Sequence, residues 1–275
     1  MELPFLLSEQ ALRFAAFAGV LTLMSALELV IPRRALLHAK WRRWITNLGV
    51  IGTSIAVVRG LALLSQAVAV PLTALAAAEF ANVHGWGVFN QVGWPLLLEF
   101  ILAVVILDFA IWTQHVLSHK IPVLWRLHQV HHADVDIDVT TALRFHPIEI
   151  GLSMLYKVLW VMVLGPSTLA VLVFEIVLNA CAMFSHSNIQ LPVGLDRVLR
   201  TVLVTPDMHR VHHSTLRTEH GSNFGFNLSV WDRLFGTYIS QPRYGHKGMT
   251  IGLPDYQNEA PTRFFWSLRL PFTRR

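Results

Sequence analysis

Charged residues are scarce in this chain, and cysteine is nearly absent. Charged residues make up 14% of the 275 residues and hydrophobic residues 53%, whereas a soluble domain carries about a quarter charged residues. This composition excludes an ordinary soluble globular protein and indicates several membrane spans. The single cysteine, Cys181, excludes a disulfide framework or a cysteine-based metal site within the chain, and we interpret it as a small core residue.

Motifs for redox cofactors and for nucleic-acid binding are also missing. The sequence contains no GxGxxG, no CxxCH and no cysteine set that could hold a flavin, a haem or an iron–sulfur cluster. The net charge of +5 comes mostly from loop arginines beside apolar segments. This pattern is typical of the cytoplasmic loops of membrane proteins, so we expect no nucleic-acid partner.

Long apolar segments predict an all-α integral membrane protein with about four transmembrane helices. The expected spans are 11–31, a second from about Asn47 toward Val70, a third over 95–119, and a short hairpin over 150–164 and 167–184. Gly165-Pro166 is the expected turn of the hairpin, which need not cross the membrane fully. The stretch 80–94 has three glycines and no lysine or arginine, so we expect a loop there.

The distribution of basic residues predicts the orientation. Segment 33–43 is strongly basic and should be cytoplasmic, which also places 120–149 and 185–275 on that side. The predicted regions are N-terminal transmembrane helices over 1–94, a catalytic region over 95–240 and a cytoplasmic tail over 241–275. The Ala/Arg-rich composition favours a bacterial inner membrane over the endoplasmic reticulum.

Three histidine clusters dominate the second half of the chain. They are the pair His115 and His119, the trio His128, His131 and His132, and the trio His209, His212 and His213. Residues three and four apart share one face of a helix, so each cluster directs its rings the same way. Imidazole is a common ligand of transition metals, and eight of them suit two ions better than one. The sequence therefore predicts a histidine-rich di-metal site on a cytoplasmic helical cap.

The motifs around these histidines resemble those of the fatty acid hydroxylase/sterol desaturase superfamily. The resemblance rests on HVLSH (115–119), LHQVHH (127–132), RFHP (144–147), FSHSN (184–188), MHRVHHS (208–214) and NFGFNLSVWDRLFGTY (223–238). It implies a membrane-bound enzyme in which two iron ions activate O2 to hydroxylate or desaturate a lipid. It also implies that His146 and His186 lie at or beside the metals.

Such chemistry consumes external electrons, so we expect a separate electron-donor protein of the ferredoxin or cytochrome type. Arg197, Arg200, Arg210 and Arg217 could dock an acidic donor, although the ordinary cytoplasmic excess of basic residues explains them equally. The lipid substrate and the choice between hydroxylation and desaturation stay open.

For some other polar residues the sequence allows more than one role. Asp108 lies seven residues before His115 and is expected to contact a metal-binding histidine, with a structural contact as the alternative. Asn179, one turn after Glu175, either supports the metals, lines the substrate cavity or packs between helices. We expect a solvated acidic loop at Asp134, Asp136 and Asp138, an Asp232–Arg233 pair in a structural corner, and no metal role for His38, His84, His220 or His246.

Two other classes of protein remain as alternatives. A histidine-rich metal transporter or metal-binding protein would explain the imidazoles, but transporters hold their ligands near the middle of the membrane. A zinc hydrolase is disfavoured because HExxH is absent and no catalytic carboxylate is evident.

Overall fold

A computed structural model describes residues 8–273, and within this range the chain contains helices and no strand. Residues 1–7 and 274–275, at the outer ends of the predicted N-terminal and C-terminal regions, lie outside the described residues. The α-helices are α1 Glu9–Val30, α2 Lys40–Val68, α3 Ala74–His84, α4 Val88–Gln91, α5 Leu96–Lys120, α6 Pro122–His132, α7 Pro147–Leu164, α8 Thr168–His186, α9 Val193–Leu199, α10 Pro206–His212, α11 Arg217–His220, α12 Val230–Leu234, α13 Gly245–Gly248 and α14 Phe264–Arg269. Short 3₁₀ turns cover Val139–Leu143, Pro254–Tyr256, Ala260–Thr262 and Leu270–Phe272.

Five helices, α1, α2, α5, α7 and α8, are long and apolar enough to cross a membrane. The prediction of an all-α membrane protein is confirmed, with one more candidate span than the expected four or so. The bounds of the first and third spans and of the hairpin agree with the sequence pattern to within a few residues. The second helix begins at Lys40, seven residues before the predicted start, because basic residues can occupy the first turns of a span at the membrane interface.

The expected loop over 80–94 is wrong for much of its length. Ala74–His84 forms α3, which Thr73 caps through its side-chain oxygen, and Val88–Gln91 forms α4. Glycine does act as a breaker at Gly85 and Gly87, where φ is positive. A Cβ on Gly87 would lie 2.3 Å from the Gly165 nitrogen. This close approach lets the α3–α4 connection cover the turn between α7 and α8.

Both helices that contain HxxHH begin with proline, at Pro122 of α6 and Pro206 of α10. Proline suits the first helical position, where its missing N–H needs no partner and its φ is already helical. Thr205 adds a side-chain cap to α10. Each of these short helices therefore has a defined start within three turns of its histidines.

The expected solvated acidic loop is wrong, because Asp134, Asp136 and Asp138 are all buried. Arg43 of α2, itself fully buried, donates to both carboxylate oxygens of Asp134 at 2.8 and 2.7 Å and to Asp138 at 2.5 Å. Asp136 accepts hydrogen bonds from the backbone N–H groups of Leu37 and His38. These contacts fix the segment after α6 onto the start of α2. The three aspartates in sequence do not reveal that an arginine some ninety residues earlier pairs with two of them.

We predict that Arg43→Met destabilises the protein strongly, because it leaves two carboxylates buried without their cation. Removing one partner of a buried pair costs about 3–5 kcal/mol. The variant should lose its monodisperse size-exclusion peak in detergent at a clearly lower temperature than the wild type. Arg42→Met is the matched control, since Arg42 is 48% exposed and pairs with an exposed glutamate. Equal heat resistance of the two variants would contradict this role of Arg43.

Candidate metal centre

Nine histidines converge at one end of the helical bundle in two adjoining groups. In each group one possible ligand atom per residue lies within 4.8 Å of the others. The first group contains His115, His119, His128, His132 and His212, and the second contains His131, His186, His209 and His213. All but His119 are buried. The two groups adjoin, since the His132 and His213 rings stack with centroids 4.5 Å apart.

Each HxxHH motif supplies both groups. In α6, His128 and His132 join the first group while His131 joins the second; at α10, His212 joins the first while His209 and His213 join the second. Adjacent helical residues point about 100° apart, so the final HH pair of each motif divides between two centres. The spacing therefore builds two neighbouring sites from two short helices.

The eight histidines of the three clusters all lie in these groups, and so does His186, the last residue of α8. His146 does not. It caps α7, where its Nδ1 accepts from the Ile148 N–H, and its Nε2 lies 3.3 Å from the Leu268 carbonyl. The resemblance suggested a place beside the metals for both residues, but the structure brings only His186 to the cluster.

The four histidines that were expected to be separate from the site also lie outside both groups. His84 is at the opposite end of the bundle, in α3, and His38 lies 3.1 Å from the Asn258 carbonyl. His246 packs near Asp207. His220 is the nearest of the four, with its ring centroid 4.5 Å from that of His132 and 4.7 Å from that of His119.

Backbone carbonyls orient three of the clustered rings. Nδ1 of His115 donates to the Phe224 carbonyl at 2.7 Å, that of His212 to Ser222 at 2.6 Å, and that of His186 to Ala182 at 2.7 Å. A neutral imidazole carries one proton, so this bond leaves Nε2 with a lone pair. Metal-binding histidines commonly have their second nitrogen fixed in this way.

Glu149, which the sequence analysis missed, performs the same task for His128. Its Oε1 accepts from Nδ1 of His128 at 2.6 Å, and both side chains are buried. A signal was present in the sequence, since a carboxylate in the first turn of an apolar helix needs a partner. Only the fold shows that the partner lies on α6, twenty-one residues earlier.

The inner nitrogens are arranged as the ligands of a cation would be. Nε2 of His186 lies 3.1 Å from Nε2 of His131 and 3.0 Å from Nε2 of His209. Two nitrogens that bind one ion at about 2.0–2.1 Å lie roughly 3 Å apart at right angles. Among the described residues, Nε2 of His115 and of His212 have no hydrogen-bond partner although both are buried. A shared metal ion would satisfy these nitrogens, so the residues present fit a dinuclear centre.

Burial keeps the extramembrane histidines uncharged. Desolvation lowers the pKa of His128 to about 3. Desolvation and repulsion from neighbouring imidazoles also lower the pKa of His131, His132, His209, His212 and His213 well below the ordinary value. A metal requires the neutral form of histidine as its ligand, and these rings hold that form at pH 7.

Asp108 does not contact a histidine. Its carboxylate accepts from the Trp231 indole N–H at 2.7 Å, so it joins α5 to the segment that ends in WDRLFGT. The expected Asp232–Arg233 pair is also wrong, because neighbouring residues on a helix do not face each other. Asp232 instead accepts from the N–H groups of Phe224 and Gly225, both at 2.8 Å. It thereby holds the loop whose Phe224 carbonyl orients His115.

The fold also bears on two other hypotheses from the sequence, the docking arginines and the role of Asn179. Of the four arginines considered for donor docking, Arg210 is fully buried and Arg200 nearly so, with Asp207 and Asp196 as their respective carboxylate partners. Asn179 donates to the Glu175 carbonyl at 2.8 Å and lines a cavity in the membrane region. The cavity role is one of the three that the sequence allowed for Asn179.

Two openings reach the first histidine group from different directions. An apolar cavity of about 180 Å³ lies among α2, α5, α7 and α8 and ends at His115 and His128. A wider cleft of about 420 Å³ lies mainly among the segments outside the spans, and His119, Trp125 and His220 line it. The site thus has one approach from the membrane interior and one from the cap.

A bundle of apolar helices with two buried histidine groups at one end defines a multi-pass membrane protein with a candidate dinuclear metal centre. Residues 100–237 match the fatty acid hydroxylase family, and the match covers half of the chain. The chain belongs to this family, which confirms the resemblance seen in the histidine motifs. No solved structure matches it.

Three of the relatives that the chain resembles are a lipid hydroxylase, a monooxygenase and a cholesterol hydroxylase. The chain is 30% identical over 182 residues to ornithine lipid hydroxylase OlsE of Rhizobium tropici, covering 66% of this chain and 53% of that protein. It is 30% identical to human alkylglycerol monooxygenase, with 52% of this chain and 31% of the relative covered. Cholesterol 25-hydroxylase of Rattus norvegicus is 27% identical, with 54% and 49% covered. The matched part is about half of these relatives' length or less.

We predict that Glu149→Ala lowers the metal affinity of the purified protein roughly 10–100-fold, as loss of a carboxylate that orients a metal-binding histidine commonly does. The measurement is metal content by mass spectrometry during titration with a chelator. Glu79→Ala, a change on the exposed face of α3, is the control and should retain its metal. Unchanged metal retention in Glu149→Ala would show that His128 needs no carboxylate.

Proposed function

We propose that this protein is a membrane-bound di-iron oxygenase that uses O2 and external electrons to hydroxylate an unactivated C–H bond of a lipid. The observation that carries the proposal is the apolar cavity that ends at His115 and His128, beside two groups of inward-facing imidazoles. Hydroxylation is favoured over desaturation because the named relatives are hydroxylases and monooxygenases.

The five-histidine group and the four-histidine group would each hold one iron ion. Zinc fits nitrogen ligands too, but it has no redox chemistry, whereas a bound pair of irons supplies the oxidation–reduction that O2 activation needs. The chain contributes the ligands, fixes their tautomers through Phe224, Ser222, Ala182 and Glu149, and keeps the rings neutral by burial.

The cavity explains how a C–H bond could be presented. Most of its lining surface is apolar and includes Ile111, Leu143 and Phe226, which suit a hydrocarbon chain. His115 and His128 close its end, so a chain that fills the cavity places a carbon beside the first histidine group.

Insertion of one oxygen atom of O2 into a C–H bond, with reduction of the other to water, consumes two electrons and two protons. We infer that a separate protein of the ferredoxin or cytochrome type supplies the electrons, since these 275 residues contain no redox-cofactor motif. The cleft beside His119 supports this inference, because it brings the histidine group close to the extramembrane surface.

We place the histidine end of the bundle in the cytoplasm, in a bacterial inner membrane. The basic segment 33–43 lies at this end, where Arg33 pairs with Asp207 of α10 at 2.9 Å and Arg34 donates to the Met249 carbonyl at 3.0 Å. Basic loops accumulate on the cytoplasmic side. The location also disfavours a metal transporter, whose ligands belong near the middle of the span, whereas His186 and His119 lie at helix ends.

We predict that His131→Ala and His212→Ala each abolish lipid oxidation and reduce the iron content from about two ions per chain to about one or fewer. The two substitutions lie in different histidine groups, so loss of either ion tests the dinuclear proposal. The chain should still insert into membranes, because the spans are unchanged. His84→Ala, at the other end of the bundle, should keep iron and activity. Full activity in either cluster variant would remove that residue from the ligand set.

The activity itself is tested by comparing the lipid profiles of cells that carry the gene with those of cells that lack it, each grown both with and without oxygen. We expect a lipid heavier by one oxygen atom only in aerated cells that express the protein. Vesicle transport of metal with no lipid product would support the transporter instead.

A further inference from the structure

Three ionisable side chains meet inside the membrane region, away from the histidines. Glu175 of α8 accepts from Arg13 of α1 at 2.7 Å and forms a second ion pair with Lys157 of α7. The side chains of Glu175 and Lys157 are only 8% and 14% exposed. Ionised groups within spans are costly and commonly mark a functional path.

Glu175 has more positive partners than it needs. Arg13 alone can neutralise it, yet Lys157 is also held against the carboxylate. Arg13 has a second acidic partner, Glu9, but that carboxylate is 44% exposed, so water screens it. An ammonium has three donors, and Glu175 is the one acceptor that Lys157 has among the described residues. Lys157 is thus a largely buried cation whose ammonium has further N–H groups that can donate to a ligand.

Lys157 lines the apolar cavity that ends at His115 and His128. On α7 it lies eight residues after Glu149, which is about 12 Å along a helix from the carboxylate that orients His128. Phe17 and Asn179 line this cavity and also a smaller one of about 40 Å³ between α1 and α8, which Arg13 borders. The large cavity therefore has both histidines and Lys157 in its lining, and a small neighbouring cavity that shares two of its wall residues is bordered by Arg13.

We propose that Lys157 binds the anionic oxygen group, a carboxylate or phosphate, of the lipid whose chain fills this cavity. Glu175 positions the ammonium, and Arg13 stands at the lipid-facing entrance. The inference rests on the proposed function and names the substrate class: a lipid with an acidic group rather than a neutral sterol or hydrocarbon. Holding that group at a set distance from the histidines would determine which carbon along the chain is oxidised.

Binding of matched probes to the purified full-length protein in detergent tests this proposal without requiring turnover. The probes are hexadecanoate, hexadecyl phosphate and the neutral methyl ester of hexadecanoate, which share one chain length. A charge-assisted hydrogen bond contributes about 1.5–3 kcal/mol, so we expect one or both anions to bind roughly 10–100-fold more tightly than the ester. The anion that binds more tightly identifies the acidic group.

Lys157→Met should reduce this preference to about onefold, while Lys157→Arg should retain it. Glu175→Gln leaves both cations in place and should keep the preference or increase it, which a purely structural ion pair would not do. Lys247→Met, an exposed lysine outside the cavity, is the matched control. Equal binding of all three probes to the wild type, or an unchanged preference in Lys157→Met, overturns the proposal.

Iron content and O2-dependent lipid oxidation are measured on the same preparations. An iron-free protein that oxidises no lipid contradicts the oxygenase function but leaves the binding preference to be judged separately. An active enzyme that binds acid and ester equally contradicts only the role of Lys157.

Discussion

Nine neutral imidazoles that face one another in a buried volume form the constraint on which the rest of this structure depends. Their inner nitrogens approach to 3.0 and 3.1 Å at His186. Burial lowers the pKa of the extramembrane rings, so they stay neutral at pH 7. Nitrogens at these separations match two ligands of one metal ion, which is the arrangement that the surrounding contacts support.

Support for the cluster extends outward in layers. Carbonyls and one carboxylate fix the outer nitrogens of four rings. Asp232 holds the loop that provides the Phe224 carbonyl, and Asp108 ties the same region to α5 through Trp231. Arg43 joins the segment after α6 to α2. Two regions beyond the matched family region thus also support the site. The N-terminal helices do so through Arg43. The residues after 240 do so where Arg144 donates to the Pro261 carbonyl and to Ser267.

The bundle separates the two kinds of access that an oxygenase of lipids needs. The apolar cavity approaches the first histidine group from the membrane and passes Lys157 on the way. The wider cleft reaches His119 from the segments outside the spans, where we proposed that an electron donor docks. In the proposed function the lipid and the donor would use different sides, so neither would have to leave for the other to bind.

The sequence by itself determined the membrane class, the approximate spans and the eight clustered histidines, because hydropathy and helical spacing are local properties. It did not determine that Asp134 and Asp138 are buried, that Glu149 orients His128, or that His186 joins the cluster while His146 caps a helix. Except for the His146 cap, which is made with Ile148 two residues away, each of those facts depends on a partner at least about twenty residues away in the chain. Tertiary packing decides such pairs. A carboxylate is stable in water or paired with a buried arginine, and its local sequence is the same in both cases, so only the fold determines which environment it has.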